Sequence, residues 1–136
     1  MTGSAKPLPR VLLFEQHFVM RRTIVTVARD LGVAEIQEAS TIDRARVLLA
    51  TSAAFEAVVL DFDDGARTVD LLGELRHGKF NSRADAPVVV IAAELGRKEE
   101  DQLAALAVCE VLRKPFKIGD LLNVFVNGGV VPPVRL

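Results

Sequence analysis

Residues 86–116 read APVVVIAAELGRKEEDQLAALAVCEVLRKPF and contain the repeating unit from which the rest of the architecture follows. Val88–Ala93 is a short, continuous apolar run rich in β-branched side chains, which is typical of a strand buried on both faces of a parallel sheet. Lys98–Val108 has apolar residues at helical spacing, and a second short apolar run follows at Val111–Leu112. A strand, a helix and a strand in this order predict two parallel strands joined by a crossover helix.

The same alternation of short apolar runs and helical segments continues through the rest of the chain. Further strands are predicted at Val11–Phe14, at Ala57–Leu60 and, with a polar composition that suits a sheet edge, at Ala34–Ala39. Further helices are predicted at Val19–Leu31, at Val69–Leu75, at Ile118–Val126 and in a segment that begins at Ser40, where Asp43 completes a pattern close to a capping box. About five strand–helix repeats predict a single α/β domain with a doubly wound, five-stranded parallel sheet and about five helices.

The length and composition indicate which classes of protein the chain can belong to. The chain has 136 residues, of which 50% are hydrophobic, and this is the size and apolar content of one globular domain. The 17 basic and 18 acidic residues leave a net charge of -1, which argues against a disordered chain and against a general nucleic-acid-binding protein. We expect the domain to span residues 10–127, between a flexible segment at 1–9 and a tail or linker at 128–136.

The cysteine content and the lengths of the apolar runs bear on location. The single Cys109 excludes a disulfide framework and most cysteine-based zinc sites, and we expect it to be a small buried hydrophobic residue. None of the apolar runs reaches the length of a membrane span, and the polar, proline-containing start of the chain is unlike a secretory signal. These features predict a cytoplasmic protein.

Polar and charged residues follow three of the predicted strands at the point where each strand ends. Glu15 and Gln16 follow the first strand, Asp61 ends the third, and Lys114 follows the fifth. In an open parallel sheet, functional residues gather at the carboxyl ends of the strands, and buried charges are costly unless they are paired. We therefore expect two carboxylates, an amide and an ammonium group to converge at one edge of the sheet.

Four stretches of the sequence resemble the receiver domain of two-component response regulators, and in particular the chemotaxis type. They are RVLLFEQ at 10–16, AVVLDFDD at 57–64, APVVVIAAE at 86–94 and VLRKPF at 111–116. The most specific of them contains the triplet Lys114-Pro115-Phe116. The resemblance extends from about Arg10 to Val126, and it implies a flavodoxin-like fold with the strand order 2-1-3-4-5.

The resemblance also implies a phosphoacceptor site. In such domains an aspartate at the end of the third strand attacks a phosphorylated histidine of a partner, while acidic groups hold a Mg²⁺ ion that offsets the charge of the phosphoryl oxygens. Asp61 matches the phosphoacceptor, and Lys114 matches the residue that pairs with the phosphate. Glu15, Gln16 and Asp61 match the positions around the Mg²⁺ ion.

Three positions depart from the pattern of the family and make this an atypical receiver. Gln16 replaces an acidic residue, and a neutral amide is a poorer Mg²⁺ ligand than a carboxylate. Ala92 stands where the family has a hydroxyl that bonds the phosphate, and Val111 stands where it has an aromatic switch residue. Both switch positions are therefore degenerate, and Mg²⁺ binding is expected to be weakened.

Two arrangements can compensate for the loss of charge at Gln16. In the first, Asp63 or Asp64 supplies a carboxylate to a weak metal site. In the second, Asp61 and Lys114 form a direct ion pair that needs no metal. The first predicts measurable Mg²⁺ binding, and the second predicts none.

The interpretation that follows is an atypical receiver domain in a two-component phosphorelay, which accepts phosphate on Asp61 and acts by protein–protein interaction. It is not expected to be an enzyme, apart from self-phosphorylation and dephosphorylation of Asp61. The implied partners are a histidine kinase or a histidine phosphotransfer protein and a downstream protein target, with Arg21 and Arg22 on the first helix as candidate contacts. His17 follows the acidic position, but a lone histidine is more often neither a metal ligand nor a phosphoacceptor.

Two other functions fit the same fold. A pseudo-receiver would be a rigid docking module that works without phosphorylation. A flavodoxin-like cofactor enzyme would need a loop rich in Gly, Ser or Thr after the first strand, whereas this chain has Glu15-Gln16-His17-Phe18 there, and its carboxylate would repel a phosphate.

Overall fold

The computed structural model describes residues 7–127, which form one sheet flanked by helices. The strands are β1 (Arg10–Phe14), β2 (Glu35–Ala39), β3 (Ala57–Asp61), β4 (Val88–Ala92) and β5 (Glu110–Arg113). The helices are α1 (Phe18–Leu31), α2 (Ile42–Thr51), α3 (Ala66–Arg76), α4 (Arg97–Ala105) and α5 (Ile118–Asn127), with one 3₁₀ turn at Phe62–Asp64. Residues 1–6 of the predicted segment at 1–9, and the whole predicted tail at 128–136, lie outside the described residues.

All neighbouring strands of the sheet are parallel, and their order is β2-β1-β3-β4-β5. Phe14 pairs with Leu60 and Asp61 pairs with Ile91, so the carboxyl ends of the central strands lie at one edge of the sheet. The predicted fold class and strand order are confirmed. The residues that follow β1, β3 and β5 are thereby brought to a common edge.

Each central strand contributes side chains to two apolar layers, one on each face of the sheet. On β1, Leu12 and Phe14 join the layer covered by α2, α3 and α4, whereas Val11 and Leu13 join the layer covered by α1 and α5. The fully buried Phe125 of α5 belongs to the second layer. Burial on both faces explains why these strands read as continuous apolar runs in the sequence.

Several helix boundaries differ from the prediction because single residues determine them. Thr41, rather than Ser40, caps α2, since its Oγ1 accepts a hydrogen bond from the backbone N–H of Arg44 at 3.1 Å. The helix α3 begins at Ala66, three residues before the predicted start at Val69. The helix α4 ends at Ala105 because Ala107 adopts a left-handed conformation with φ of 58°.

The prediction that Cys109 is a buried hydrophobic residue is wrong, because the residue is exposed. It immediately precedes β5, the edge strand of the sheet, and its backbone N–H bonds to the carbonyl of Val88 at 2.9 Å. The strand that follows is itself only partly buried, so a side chain at this position reaches solvent.

No helix in the described part of the chain is long and apolar enough to cross a membrane.

Candidate functional site

A cluster of charged side chains lies at the carboxyl edge of the sheet, where the sequence predicted it. Lys114 Nζ lies 3.3 Å from Glu15 Oε1 and 3.4 Å from Asp61 Oδ1. The side chains of Glu15 and Asp61 have no solvent exposure, and that of Lys114 is 15% exposed. The structure therefore brings the three residues together in one acidic pocket, which we call the Asp61 pocket.

The backbone around Asp61 orients its carboxylate. Oδ1 accepts a hydrogen bond from the N–H of Asp63 at 3.0 Å, and Oδ2 accepts one from the N–H of Gln16 at 3.3 Å. The backbone carbonyl of Asp61 accepts a bond from Thr68 Oγ1 at 2.9 Å, and this threonine is fully buried on α3. Thr68 was not predicted as a residue of the site, because it precedes the predicted helix at Val69–Leu75, whereas the observed α3 begins at Ala66.

Lys114 directly follows β5, and its side chain extends into the Asp61 pocket. Its backbone N–H bonds to the carbonyl of Ala92 at 2.8 Å, and the peptide bond between Lys114 and Pro115 is cis. Its ammonium donates to Asp63 Oδ2 at 3.1 Å as well as to Asp61. The direct ion pair of Asp61 with Lys114, one of the two predicted arrangements, is thus present.

Two predicted metal ligands occupy other roles. Gln16 is exposed, and it contacts the Asp61 carboxylate through its backbone N–H rather than through its amide side chain. Asp63 directs its carboxylate to Lys114. The side chain of Asp64, the other predicted substitute ligand, lies outside the described residues.

His17 contacts a residue of the Asp61 pocket, although a lone histidine at this position was not expected to belong to the site. Its backbone N–H donates to Glu15 Oε2 at 3.0 Å, and its Nδ1 lies 3.0 Å from the same oxygen. Glu15, His17 and Asp61 each offer a ligand atom, and these atoms all lie within 4.8 Å of one another. The sequence signal was the position of His17, two residues after the acidic residue and directly before α1.

Burial and proximity change the acidities in the pocket. Burial and the neighbouring Glu15 carboxylate raise the pKa of Asp61, although Lys114 opposes the shift. Burial alone would raise the pKa of Glu15, but hydrogen bonding with Asp61 and His17 and the charge of Lys114 outweigh it, so this pKa is lowered. Burial would lower the pKa of Lys114, but the bond to Asp63 and the charges of Asp61 and Glu15 raise it. The lysine is therefore charged throughout the physiological pH range.

The two predicted switch positions carry side chains without polar atoms. Ala92 is fully buried at the end of β4, where it pairs with Arg113. Val111 is half-buried on β5 and packs against the core layer of α2, α3 and α4. Neither can donate a hydrogen bond to a group on Asp61. Their part in a switch stays a prediction.

The predicted partner contacts on α1 are engaged within the domain. Arg21 and Arg22 both form ion pairs with Glu38 on β2, and Arg21 also donates to the backbone carbonyl of Glu15 at 2.9 Å. The Arg21 side chain is 12% exposed, whereas that of Arg22 is 43% exposed. Arg21 therefore stabilises the backbone at Glu15, and Arg22 is the more accessible of the two arginines.

The donors of the pocket are compatible with a divalent cation. Glu15 Oε1 is buried, forms an ion pair with Lys114 and has no hydrogen-bond partner among the described residues, so it has a lone pair that a metal ion could use. Glu15 and Asp61 are the residues that would hold a Mg²⁺ ion, since this ion prefers carboxylate oxygens. The exposed, neutral Gln16 provides less charge than the acidic residue that the family resemblance implies at its position.

The structure is similar to those of several receiver domains. A response regulator receiver protein from Pseudomonas putida is 22% identical, with a TM-score of 0.78, over 91% of this chain and 99% of that chain. The chemotaxis protein CheY4 from Vibrio cholerae is 19% identical, with a TM-score of 0.75, over 88% and 97%. A CheY-like receiver domain protein from Methanospirillum hungatei is 14% identical, with a TM-score of 0.79, over 90% and 94%.

Comparison of sequences alone gives a different result from comparison of structures. No protein-family model matches the sequence, and no curated protein matches it either. The similarity in three dimensions nevertheless extends over most of the chain and over nearly the whole of each receiver domain. Five parallel strands in the order β2-β1-β3-β4-β5, with helices on both faces, give this chain the fold of the CheY-like response regulator receiver domains.

Proposed function

We propose that this chain is an atypical receiver domain of a two-component phosphorelay, which accepts a phosphoryl group on Asp61 and signals by protein–protein interaction. The observation that carries the proposal is the contact of Lys114 Nζ with Asp61 at the carboxyl edge of the sheet. A carboxylate in this position, with an ammonium group beside it, has a nucleophilic oxygen and a cation for the group that it receives.

The transfer requires the buried Asp61 carboxylate to become accessible to the phosphoryl donor. An oxygen of Asp61 attacks the phosphorus of a phosphohistidine, the P–N bond breaks, and its electron pair stays on the imidazole nitrogen, which takes a proton from solvent. Lys114 then pairs with the phosphoryl oxygens, and the N–H groups of Gln16 and Asp63 are close enough to help orient the acyl phosphate. A divalent cation, when bound, supplies further positive charge for these oxygens.

The proposed partners follow from this chemistry. The phosphoryl donor is a histidine kinase or a histidine phosphotransfer protein, and the phosphorylated domain acts on a downstream protein target. Arg22 on α1 is the more accessible candidate for such a contact, because its side chain is 43% exposed while it pairs with Glu38. The chain is proposed to act in the cytoplasm as a signalling module whose catalysis is limited to self-phosphorylation and dephosphorylation of Asp61.

Small-molecule phosphodonors test the proposal. The protein is incubated with phosphoramidate or acetyl phosphate and Mg²⁺, and the intact mass is measured with and without brief alkaline treatment. We expect the mass of one phosphoryl group, labile to alkali, on the wild-type protein and on Asp63→Asn but not on Asp61→Asn. An unmodified wild-type protein at all metal concentrations would show that Asp61 is not a phosphoacceptor.

A pseudo-receiver is the second candidate, and a specific observation favours it. The Asp61 side chain has no solvent exposure, and both of its oxygens are already hydrogen-bonded. In that state the pocket is a closed ion-pair network, and the domain would dock its partner in one fixed conformation. The two candidates differ in the phosphodonor experiment, because the pseudo-receiver predicts no mass change.

A further inference from the structure

A histidine ring lies at the mouth of the Asp61 pocket in addition to the two buried carboxylates. We propose that Glu15, His17 and Asp61 form a binding site for a divalent transition-metal ion of the Zn²⁺ type, with higher affinity than for Mg²⁺. This inference goes beyond the proposed function, because it does not require Asp61 to be phosphorylated. It concerns the chemical identity of the cation that the pocket selects.

The ligand atoms have suitable spacing. Nδ1 of His17 lies 3.0 Å from Glu15 Oε2, and one ligand atom from each of Glu15, His17 and Asp61 lies within 4.8 Å of the other two. Ligands at Zn²⁺ distances of about 2.0–2.1 Å in a tetrahedron are separated by roughly 3.3 Å. A contraction of the longest separation by up to about 1.5 Å would therefore give three of the four positions of such a site.

A second observation points to a ligand independently of this spacing. Glu15 has no solvent exposure, and its Oε1 has no hydrogen-bond partner in the described part of the chain. Lys114 Nζ lies 3.3 Å from this oxygen, but the hydrogen bonds of the ammonium go to Asp61 and Asp63. The ion pair with Lys114, without a hydrogen bond, compensates this buried oxygen only in part, and a metal ion at the pocket would coordinate it directly.

The charge of the pocket also favours a divalent cation. When ionised, Glu15, Asp61 and Asp63 carry three negative charges, and the ammonium that contacts all of them is Lys114. The excess negative charge is equal to the charge of one divalent ion. A bound cation would therefore bring the pocket to electrical balance.

The type of donor decides between the metals. Mg²⁺ requires a near-octahedral set of oxygen ligands and binds imidazole poorly, whereas Zn²⁺ and similar ions bind imidazole and carboxylate together. The acidic residue expected at position 16 is replaced by an exposed glutamine, and the nearest additional donor is the nitrogen of His17. The His17 side chain is 65% exposed, so its ring can move from its contact with Glu15 Oε2 to a metal ion without loss of core packing.

Lys114 competes with the metal, which gives the proposal an additional consequence. The ammonium occupies space between Glu15 and Asp61, and a bound ion would displace it towards Asp63. Replacing Lys114 with methionine removes a positive charge from the site. We therefore expect Lys114→Met to bind Zn²⁺ more tightly than the wild-type protein does.

Isothermal titration calorimetry of the chelator-treated full chain tests the proposal. All proteins carry Cys109→Ser, which removes an exposed thiol as an alternative ligand. We expect one Zn²⁺ site with at least about tenfold higher affinity than for Mg²⁺. Because loss of a metal-site residue typically costs 10–100-fold, His17→Ala should lose at least about tenfold in Zn²⁺ affinity and leave Mg²⁺ binding unchanged.

His77→Ala is the matched control, since His77 is exposed at the end of α3 and contacts the Gly73 carbonyl rather than a carboxylate. It should bind Zn²⁺ like the wild-type protein, and NMR should show Zn²⁺-induced shifts of the His17 ring but not of the His77 ring. Equal Zn²⁺ affinity of His17→Ala and wild type, or equal wild-type affinities for Zn²⁺ and Mg²⁺, would overturn the proposal. Phosphoryl transfer is measured separately by mass, so failure of either idea leaves the other standing.

Discussion

Replacing Lys114 with methionine removes the ammonium that two buried carboxylates share. Glu15 Oε1 and Asp61 Oδ1 lie 3.3 Å and 3.4 Å from its Nζ, and neither side chain has solvent exposure. Removal of one partner of a buried ion pair typically costs about 3–5 kcal/mol, because the remaining charge stays buried without compensation. Since the Lys114 side chain is itself 15% exposed, we expect the low end of this range, about 3 kcal/mol of unfolding free energy near neutral pH.

The size of the loss depends on pH through Asp61. Burial and the Glu15 carboxylate already raise the pKa of Asp61 above its ordinary value of 3.8, and loss of the ammonium raises it further. A group whose pKa is raised by folding contributes stability that is present below the unfolded-state pKa and is lost as the pH rises through the folded-state pKa. The Lys114→Met protein should therefore regain part of its stability as the pH falls and Asp61 is protonated.

Urea unfolding of wild type and variant at about pH 5 and about pH 8 measures both effects. Lys117→Met is the matched control, because Lys117 is exposed three residues away, and it should unfold within about 0.5 kcal/mol of wild type. In the double variant with Asp61→Asn, the cost of losing Lys114 should be smaller than in the single variant. A Lys114→Met protein as stable as wild type at both pH values would refute the ion-pair reasoning.

Three further substitutions test features outside the pocket. Arg76→Ala should lower the free energy of unfolding by about 2–4 kcal/mol, because the guanidinium makes four hydrogen bonds to backbone carbonyls. Arg83→Ala is the control, since it removes only an exposed ion pair and should change that free energy by less than about 0.5 kcal/mol. Urea unfolding measures both values. Ala107→Gly should raise the melting temperature, because φ of 58° costs alanine about 1 kcal/mol relative to glycine; a lower melting temperature would contradict this. Thr41→Ala should lower the free energy of unfolding by about 1 kcal/mol, because it removes the side chain that caps α2, and Ser40→Ala should lower it much less. Equal losses of the two variants in thermal unfolding would mean that Thr41 is not the cap.

Most of the fold could be predicted because several properties of the sequence agree. The central strands are buried on both faces, so they read as unbroken apolar runs, and a parallel sheet with short connections allows few topologies. The errors fall where the signal is carried by a single residue. The first turn of α3 contains Ala66 and Arg67 before the buried Thr68, so it lacks the apolar periodicity on which the predicted start at Val69 depended.

The residues of the candidate site that lie at the ends of strands could be predicted from the sequence. Asp61 and Lys114 are 53 residues apart, yet the parallel sheet brings the ends of β3 and β5 to one edge. The contacts of His17 and Arg21 could not be predicted in the same way, because they depend on how α1 leaves the strand end. Arg21 in particular reads as part of a solvated helix face, but its guanidinium reaches Glu38 on β2.

Under the proposed function, the apolar side chains of Ala92 and Val111 leave Lys114 as the group that responds to phosphorylation of Asp61. Conversion of the Asp61 carboxylate to an acyl phosphate raises the negative charge at this position from one to roughly two, and the phosphoryl oxygens would draw the Lys114 ammonium from Asp63, which it now contacts at 3.1 Å. Asp63 belongs to the 3₁₀ turn that leads into α3, so release of its carboxylate changes the restraints on that turn. Under the proposed function, the signal therefore reaches the surface through the turn at Phe62–Asp64 and α3, because the side chains of Ala92 and Val111 have no polar atom with which to sense it.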